Sequence, residues 1–500
     1  MSAVATVAAV DLGAESGRVV RADFDGERLA VREVSRFPHT PFVVDGILRW
    51  DLDLLTRAIT DGLGTLAAEG SPVASVGVDA WGVDYGLLAA DGTLVDLPTC
   101  YRDPRQLAAM DEALAMVGRE RLYRATGVQL NEINTVFALM SDARTTTRLD
   151  RAATLLMLPD VVHSLLAGSR VTEATAASTS GLYDVAAGRW VTELADDLGI
   201  PTRLLPEVVP PGTDLGPLLG PLGDGPLAGT RVIAPAGHDT ASAVVATPFP
   251  EPGALFISSG TWSLVGVELP RPVVTPASLA ANLTNEGGYA GTTRLLRNVM
   301  GLWLLQECRR AWAAQGREFS YAELTELAGR EPALRCLVNP NARDFLARGD
   351  MPARVQEYCR RTGQPVPESP GAIARCVVDS LAVSYRVTAE DIAAVTGTAP
   401  TAVCVTGGGA RSALLAQATA DATGLPVHCG PVEATSLGNA AAQLVALGEL
   451  GGVTDTRAVV ARTADLHTCS PRPDARWEQA AALLRERTQD DDRQRGLIPT

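Results

Sequence analysis

The residues best placed to do chemistry lie in two short turns. An apolar run from Val7 ends on Asp11, and Leu12-Gly-Ala-Glu-Ser-Gly17 then turns the chain into a second apolar run. Glycines in such a turn allow φ > 0 and let a ligand approach the backbone closely. Successive backbone N–H groups there form a concave anion site. Asp11 itself repels a phosphate, but it can reach one through Mg2+ and the waters of that ion. The same order of strand, small-residue turn and strand recurs over 254–267, around Ser258-Ser-Gly-Thr261. Two such hairpins in one chain imply two related half-molecules with a nucleotide between them.

A third turn carries an acid. A strand over 231–236 runs into Gly237-His-Asp-Thr240, followed by an apolar helix. Asp239 is then either an N-cap or a base that takes the proton of a hydroxyl attacking a γ-phosphate, with His238 and Thr240 orienting the substrate. A carboxylate of ordinary pKa, about 4, is a weak base, which makes its role orientation and late proton acceptance. Gly82, after Trp81 at a strand end, is either a turn residue beside a core Trp or a point where backbone meets a sugar hydroxyl. Asn298 reads as a helix N-cap or a ligand, Gln306 as a surface residue or a ligand, and Arg18 as a solvated strand arginine or a phosphate partner. The triplet Gly407-Gly-Gly409 stands between a strand and a helix, a place suited to an adenosine face or a phosphate.

Composition narrows the chemistry further. The chain holds 500 residues, enough for two large domains. All 43 basic residues are arginine, so no P-loop, Schiff-base or kinase-type lysine exists. Phosphate chemistry must use backbone N–H groups, hydroxyls, arginine and metal. A net charge of −15 argues against nucleic acid or an anionic membrane as partner. No apolar run is long enough for a transmembrane helix. The first residues lack a basic leader and read as a strand, which makes the cytoplasm the expected location. The five histidines and eight cysteines show no metal-ligand spacing, so reduced, buried thiols are expected. Cys359 and Cys376 bracket a Pro/Gly-rich loop that could bring them together.

The elements that position these residues alternate strand and helix. Apolar spacing predicts a helix over 54–68, a buried strand over 75–79, and an irregular crossing segment over 201–230. Helices are predicted over 298–314, 371–395 and 411–423, and a strand over 401–406. The Pro-rich segment 248–252 is the expected domain boundary. The polar residues from Gln489 onward are expected to fray.

Taken together, Val10-Asp-Leu-Gly-Ala-Glu-Ser-Gly-Arg18, Asp79-Ala-Trp-Gly-Val-Asp84, Gly237-His-Asp-Thr-Ala-Ser-Ala-Val-Val245, Ser258-Ser-Gly-Thr-Trp-Ser263 and Arg297-Asn-Val-Met-Gly-Leu-Trp-Leu-Leu-Gln306 resemble the FGGY carbohydrate kinase family. Asn285-Glu-Gly-Gly288, Pro367-Glu-Ser369 and Pro431-Val-Glu-Ala-Thr-Ser-Leu-Gly-Asn439 fit the same resemblance, which runs through nearly the whole chain. It implies an α/β, actin-like ATPase (RNase H-like) fold, with two domains and MgATP and sugar in a central cleft. The domains would be 1–247, with the sugar site and first hairpin, and 248–455, with the second hairpin and the adenosine site. A helical tail would cover 456–500. The implied reaction moves the γ-phosphate of ATP to the 1-hydroxyl of L-rhamnulose. Another ketose such as L-fuculose or xylulose, or an actin-like nucleotide switch, are the competing readings.

By motif, Asp239 would be the catalytic base, and Gly82, His238, Asp239, Thr240 and Asn298 would bind sugar. Ala14, Glu15, Ser16, Gly17, Arg18, Thr261, Gln306 and Gly408 would bind ATP, and Asp11 would hold Mg2+ through water. Glu15 departs from the family pattern, which has a small hydroxyl residue there; its charge should point away from a phosphate. Ala410-Arg411-Ser412 also departs, leaving the adenine contacts unassigned.

Overall fold

Seven of the eight residues in the run Ala5–Leu12 are buried, because strand β1 has a neighbour on each side and is covered on both faces. Ser16–Phe24 (β2) instead alternates buried and partly exposed positions, as a strand with one wet face does. Leu29–Pro38 (β3) carries charged residues along the edge of the sheet, which discourages pairing with another chain. With Ser75–Ala80 (β4), Thr213–Pro217 (β5) and Arg231–Ala234 (β6), these strands form a sheet in the order β5-β6-β4-β1-β2-β3. Strands β1, β4 and β6 are parallel, while β2 and β5 run antiparallel to their neighbours. The segment expected to be irregular, 201–230, thus supplies edge strand β5, whose bulge between Asp214 and Gly216 obscured its alternation.

This computed structural model describes residues 5–494. It divides into two units. Unit 1 comprises the chain up to Pro248, Glu268–Leu295 and Glu433–Ala464; unit 2 comprises Phe249–Val267, Leu296–Val432 and the chain from Asp465. The chain leaves unit 1 at Pro248, the Pro-rich boundary, but two stretches of the expected 248–455 domain group with unit 1. For the second stretch the reason is in its side chains. Helix Ala434–Ala446 hydrogen-bonds to β1 and β4 through Asn439 and Gln443.

Unit 2 is built on Leu255–Ser259 (β7), Trp262–Leu269 (β8), Thr293–Met300 (β9), Val403–Thr406 (β10), Val427–Cys429 (β11) and His467–Cys469 (β12). Their order is β12-β11-β10-β7-β8-β9, with β7, β10 and β11 parallel. Five of these strands, β11-β10-β7-β8-β9, repeat the order β6-β4-β1-β2-β3 of unit 1, as the two hairpins in the sequence led us to expect. The edge differs, because β5 precedes β6 in the chain whereas β12 follows β11. Helix Pro370–Thr396 starts on the Ser369 cap and ends at left-handed Gly397, close to the expected 371–395. Helix Arg476–Gln494 continues past Gln489 because Asp491 accepts hydrogen bonds from Asn339 and Tyr358. Residues 495–500 of the expected tail lie outside the described residues. No helix among the described residues is long and apolar enough to cross a membrane.

Odd positions of β4 face helix Ala434–Ala446. Ser75 donates to Gln443 and Asn439 donates to Asp79. The same helix packs on helix Asp239–Val245 at Gly438, where a Cβ would lie 1.8 Å from the Ser242 carbonyl oxygen. Backbone cannot yield as a flexible side chain can. Gly438→Ala is therefore expected to destabilise unit 1 by about 1–3 kcal/mol or more, read as a lower urea midpoint. An unchanged midpoint would show that the two helices separate freely.

Candidate active site

The loops that leave the carboxyl ends of parallel strands β1, β4 and β6 lie side by side, the usual place for a ligand in such a sheet. Trp81 N–H donates to the Leu12 carbonyl at 3.1 Å, and Ala80 N–H donates to the Gly237 carbonyl at 2.9 Å. Unit 1 thereby collects Asp11, the turn from Ala14 to Arg18, Gly82, His238, Asp239 and Thr240.

Asp11 and Asp79 are paired positions of β1 and β4, and both are buried. Asp11 Oδ2 accepts from Arg18 at 2.6 and 3.0 Å and from Ser436 Oγ at 2.9 Å. Arg18 also reaches Glu433. Burial alone would lower the Arg18 pKa, but the two carboxylates raise it above its ordinary value. Arg18 is therefore not the solvated strand arginine that its position allowed. Asp79 accepts from Asn439 at 2.6 Å, and its other oxygen is buried with no hydrogen-bond partner among the described residues. Burial first, and Asp11 second, push the Asp79 carboxyl well above the usual range.

The turn itself differs from expectation in one detail. Neither Gly13 nor Gly17 adopts positive φ. Gly17 is glycine because the Phe37 ring stands 2.4 Å from where its Cβ would be. The turn is tied down by Gly13 N–H to the Ser16 carbonyl at 3.1 Å, and by His39, which bonds Gly13 O through Nε2 at 2.7 Å and Glu15 O through its own N–H.

Asp239 is the first residue of helix Asp239–Val245, and His238 holds the cap position. The N-cap reading of Asp239 therefore fails: its carboxylate accepts from the adjacent Thr240, at N–H and Oγ1. Burial, opposed by His238 and reinforced by Asp11, raises its pKa. Arg294 donates to His238 Nδ1 at 3.1 Å. The other ring nitrogen, Nε2, faces Asp239 Oδ1 at 3.4 Å. Glu286 lies 3.2 Å from both the Arg294 guanidinium and His238 Nδ1. A Cβ on Gly82 would come within 3.2 Å of His238 Nε2, so this glycine keeps the space in front of the imidazole open.

Several supports were not read from sequence. Glu173, fully buried, accepts from Thr175, Ala176 and Gly237 N–H, and Thr175 Oγ1 accepts from His238 N–H at 3.1 Å. Asp84 accepts both indole N–H groups, Trp50 at 2.5 Å and Trp81 at 2.7 Å, and His39 stacks on Trp81. Polar residues at 433, 436, 439 and 443 recur on one face of an alanine-rich helix, a periodic signal that could have exposed their role.

Unit 2 assembles the remaining candidates. The turn after β7 is held by Gly301 and Trp303 N–H groups, both donating to the Thr261 carbonyl. Asn298 lies in β9, and the following helix begins only at Trp303, so Asn298 is no N-cap. Gln306, one turn into that helix, has a buried Oε1 with no hydrogen-bond partner among the described residues, unlike a solvated surface residue. Gly407 and Gly409 are packed against Ser259, whereas Gly408 faces open space, and helix Ala413–Thr423 follows a 3-10 turn and a Ser412 cap.

Two family domains match this chain. The N-terminal domain of the FGGY family of carbohydrate kinases matches residues 6–246, and its C-terminal domain matches residues 255–447. A rhamnulokinase of Bacteroides thetaiotaomicron is 41% identical over 475 residues, covering 94% of this chain and 97% of its own length. A rhamnulokinase of Pectobacterium carotovorum is 41% identical over 495 residues, covering 97% of this chain and 98% of its own length. Among solved structures, the xylulose kinase of Lactobacillus acidophilus superposes with a TM-score of 0.77 at 17% identity, covering 98% of each chain. The glycerol kinase of Plasmodium falciparum superposes with a TM-score of 0.76 at 14% identity, again covering 98% of each.

Asp84 sets a pH dependence. Burial pushes its carboxyl up to about 8 although three N–H donors pull it down. Its unfolded pKa is about 4, so the folded state binds the extra proton between those values. The stability contribution is full below about 4 and is lost as pH rises through about 8. Thermal unfolding of wild type against Asp84→Asn, followed from about pH 5 to about pH 9, should show a falling difference; parallel curves would contradict it. Glu173→Gln should lower turnover by about tenfold or more, by loosening the Gly237 loop, with the KM for nucleotide unchanged.

Proposed function

The chain belongs to the FGGY family of carbohydrate kinases, and from that premise we propose that it transfers the γ-phosphate of ATP to the 1-hydroxyl of L-rhamnulose. Its fold is the two-domain, actin-like ATPase fold of that family. The observation that carries the substrate is the set of full-length relatives, five rhamnulokinases at 38 to 41% identity. Such identity over 91 to 97% of this chain leaves a different ketose or a nucleotide switch without comparable support.

In this reading Asp239 holds the sugar 1-hydroxyl and takes its proton as the oxygen attacks phosphorus. Its raised pKa makes it a better acceptor than an ordinary aspartate. His238, together with Gly82, Thr240 and Asn298, orients the sugar. Thr261, Gln306 and Gly408 bind ATP with the turn Ala14, Glu15, Ser16 and Gly17, and Arg18 contributes charge from its place between Asp11 and Glu433. The orphaned Asp79 oxygen beside Asp11 is the electrostatic condition that a divalent cation relieves, so the residues present fit Mg2+, held by Asp11 through water. When bound, that ion neutralises phosphate charge. Catalysis by the chain itself is then positioning and charge stabilisation in a site closed to water. A kinase that draws on ATP fits a cytoplasmic location.

ADP release measured with L-rhamnulose, L-fuculose, D-xylulose, L-xylulose and glycerol tests the substrate. The largest kcat/KM is expected for L-rhamnulose, and a clear preference for another acceptor would overturn the assignment. Asp239→Asn should lower turnover by about 10²–10⁴-fold while ATP still binds. Turnover near that of wild type would remove Asp239 from the reaction.

A further inference from the structure

Asn285-Glu-Gly-Gly288 belongs to the family resemblance, yet none of its residues is among the expected ligands of sugar, ATP or Mg2+. Its first three residues lie in strand Thr284–Gly287, the neighbour of β9 in the sheet. Glu286 from this strand and Arg294 from β9 meet the imidazole of His238 within unit 1. Glu286 Oε2 is 3.2 Å from Arg294 Nη2 and 3.2 Å from His238 Nδ1. Arg294 Nη2 is 3.1 Å from the same ring nitrogen. All three side chains are buried, that of Arg294 completely.

The strand does not need the Glu286 carboxylate to stay in place. Asn285 N–H and its side-chain amide both donate to the Gly127 carbonyl, and its Oδ1 accepts from Val273 N–H at 2.7 Å. Gly287 N–H donates to Ser178 Oγ at 2.8 Å, and the Gly287 carbonyl accepts from Arg294 Nε at 2.9 Å. Ser178 closes helix Ala174–Ala177, whose N-cap is Glu173, the residue that holds Gly237 N–H. One short helix thus fixes the backbone on both sides of the contact, that of the His238 loop and that beside Glu286.

What the carboxylate does is set by the ring it faces. An imidazole that makes half a turn about its Cβ–Cγ bond exchanges a nitrogen for a carbon on each edge, and that torsion is only broadly restrained. A grip on Nδ1 is therefore what keeps Nε2 on the Asp239 side, 3.4 Å from Oδ1. The pair supplies this grip in every proton state. Where Nδ1 is bare, Arg294 donates to it; where Nδ1 carries hydrogen, Glu286 accepts it. Nε2 is then free to donate to a sugar hydroxyl or to accept from one while the ring stays anchored. Burial opposes the charge of Arg294, whereas Glu286, Asp239 and Glu173 favour it. Pairing the cation with an anion also avoids a lone buried charge beside the base.

We propose, on the carbohydrate-kinase reading above, that Glu286 and Arg294 are positioning residues for the acceptor sugar. They hold His238 by Nδ1 and keep Nε2 turned toward the sugar beside Asp239. The Asn-Glu-Gly-Gly segment thereby acts on acceptor binding through His238 and not on the phosphate donor.

Steady-state kinetics of Glu286→Gln, which keeps the shape of the side chain and removes its charge, provide the test. The acceptor is L-rhamnulose, or whichever sugar of the ADP-release series outruns it, so a change of substrate leaves the test intact. The KM for sugar is expected to rise about tenfold or more, with the KM for ATP unchanged. In a His238→Ala background the same substitution should change kcat/KM for sugar by less than about twofold, because its effect runs through the imidazole. Nitrogen NMR of labelled histidine gives a second readout on the wild-type chain, which decides even where a variant fails to fold. Sugar binding should shift the His238 Nε2 resonance and leave that of Nδ1 in place. An equal loss in both backgrounds, an unchanged KM for sugar, or a shift of Nδ1 as large as that of Nε2 would each overturn the proposal.

Discussion

Two carboxylates placed side by side in the core of a sheet are the constraint on which unit 1 depends. Asp11 and Asp79 occupy paired positions of parallel strands, where water cannot screen them. An uncompensated buried charge is costly, so such a pair persists only if other groups answer it. The answer comes from one helix. Ser436, Asn439 and Gln443 reach up from Ala434–Ala446, and Glu433 completes the pairing of Arg18. That helix must therefore lie against β1 and β4, although almost 200 residues separate it from the end of the first segment of unit 1. Its place against the sheet also requires Gly438, which lets the helix carrying Asp239 approach.

The same logic organises the acceptor side. Asp239 is useful because it is not an ordinary carboxylate. Burial and the neighbouring Asp11 lift its pKa, and His238 is held in place by the fully buried Arg294. Glu173 and Thr175 then hold the loop itself through its backbone. Positioning is divided between charges that tune and hydrogen bonds that hold. Val83, beside Gly82, sits at φ 70 with its N–H bound to Thr179 and its carbonyl to Thr135. Strain of this kind is kept where the surroundings over-determine the backbone.

Much of this was legible in the sequence because it is local. Strand, turn and strand at 7–24 and 254–267 gave the repeated half-molecule, and five strands of each sheet share its order. Helix Pro370–Thr396 was readable from its cap and apolar period. What sequence could not show is what folding brings from a distance. The bulge in β5 hid an edge strand, and Asn298 looked like a cap because β9 runs straight toward a helix. Gly17 looked like a phosphate glycine, yet a phenylalanine ring occupies its missing side chain. Cys336 has no motif spacing to Cys359 or Cys376, yet the three converge because Asp379, Ser380 and Gln364 hold its loop against the neighbouring helices. Glu433, Ser436 and Asn439 stood in a recognised motif, but their partners are more than 350 residues away.

The central claim is that Asp239 stands against the hydroxyl that receives the phosphate. A crystal structure with L-rhamnulose, Mg2+ and a non-hydrolysable ATP analogue measures that contact directly. The sugar 1-hydroxyl is predicted within hydrogen-bond reach of an Asp239 carboxylate oxygen, about 3 Å. A sugar bound with its 1-hydroxyl turned away from Asp239, or with another hydroxyl in that place, would contradict the account.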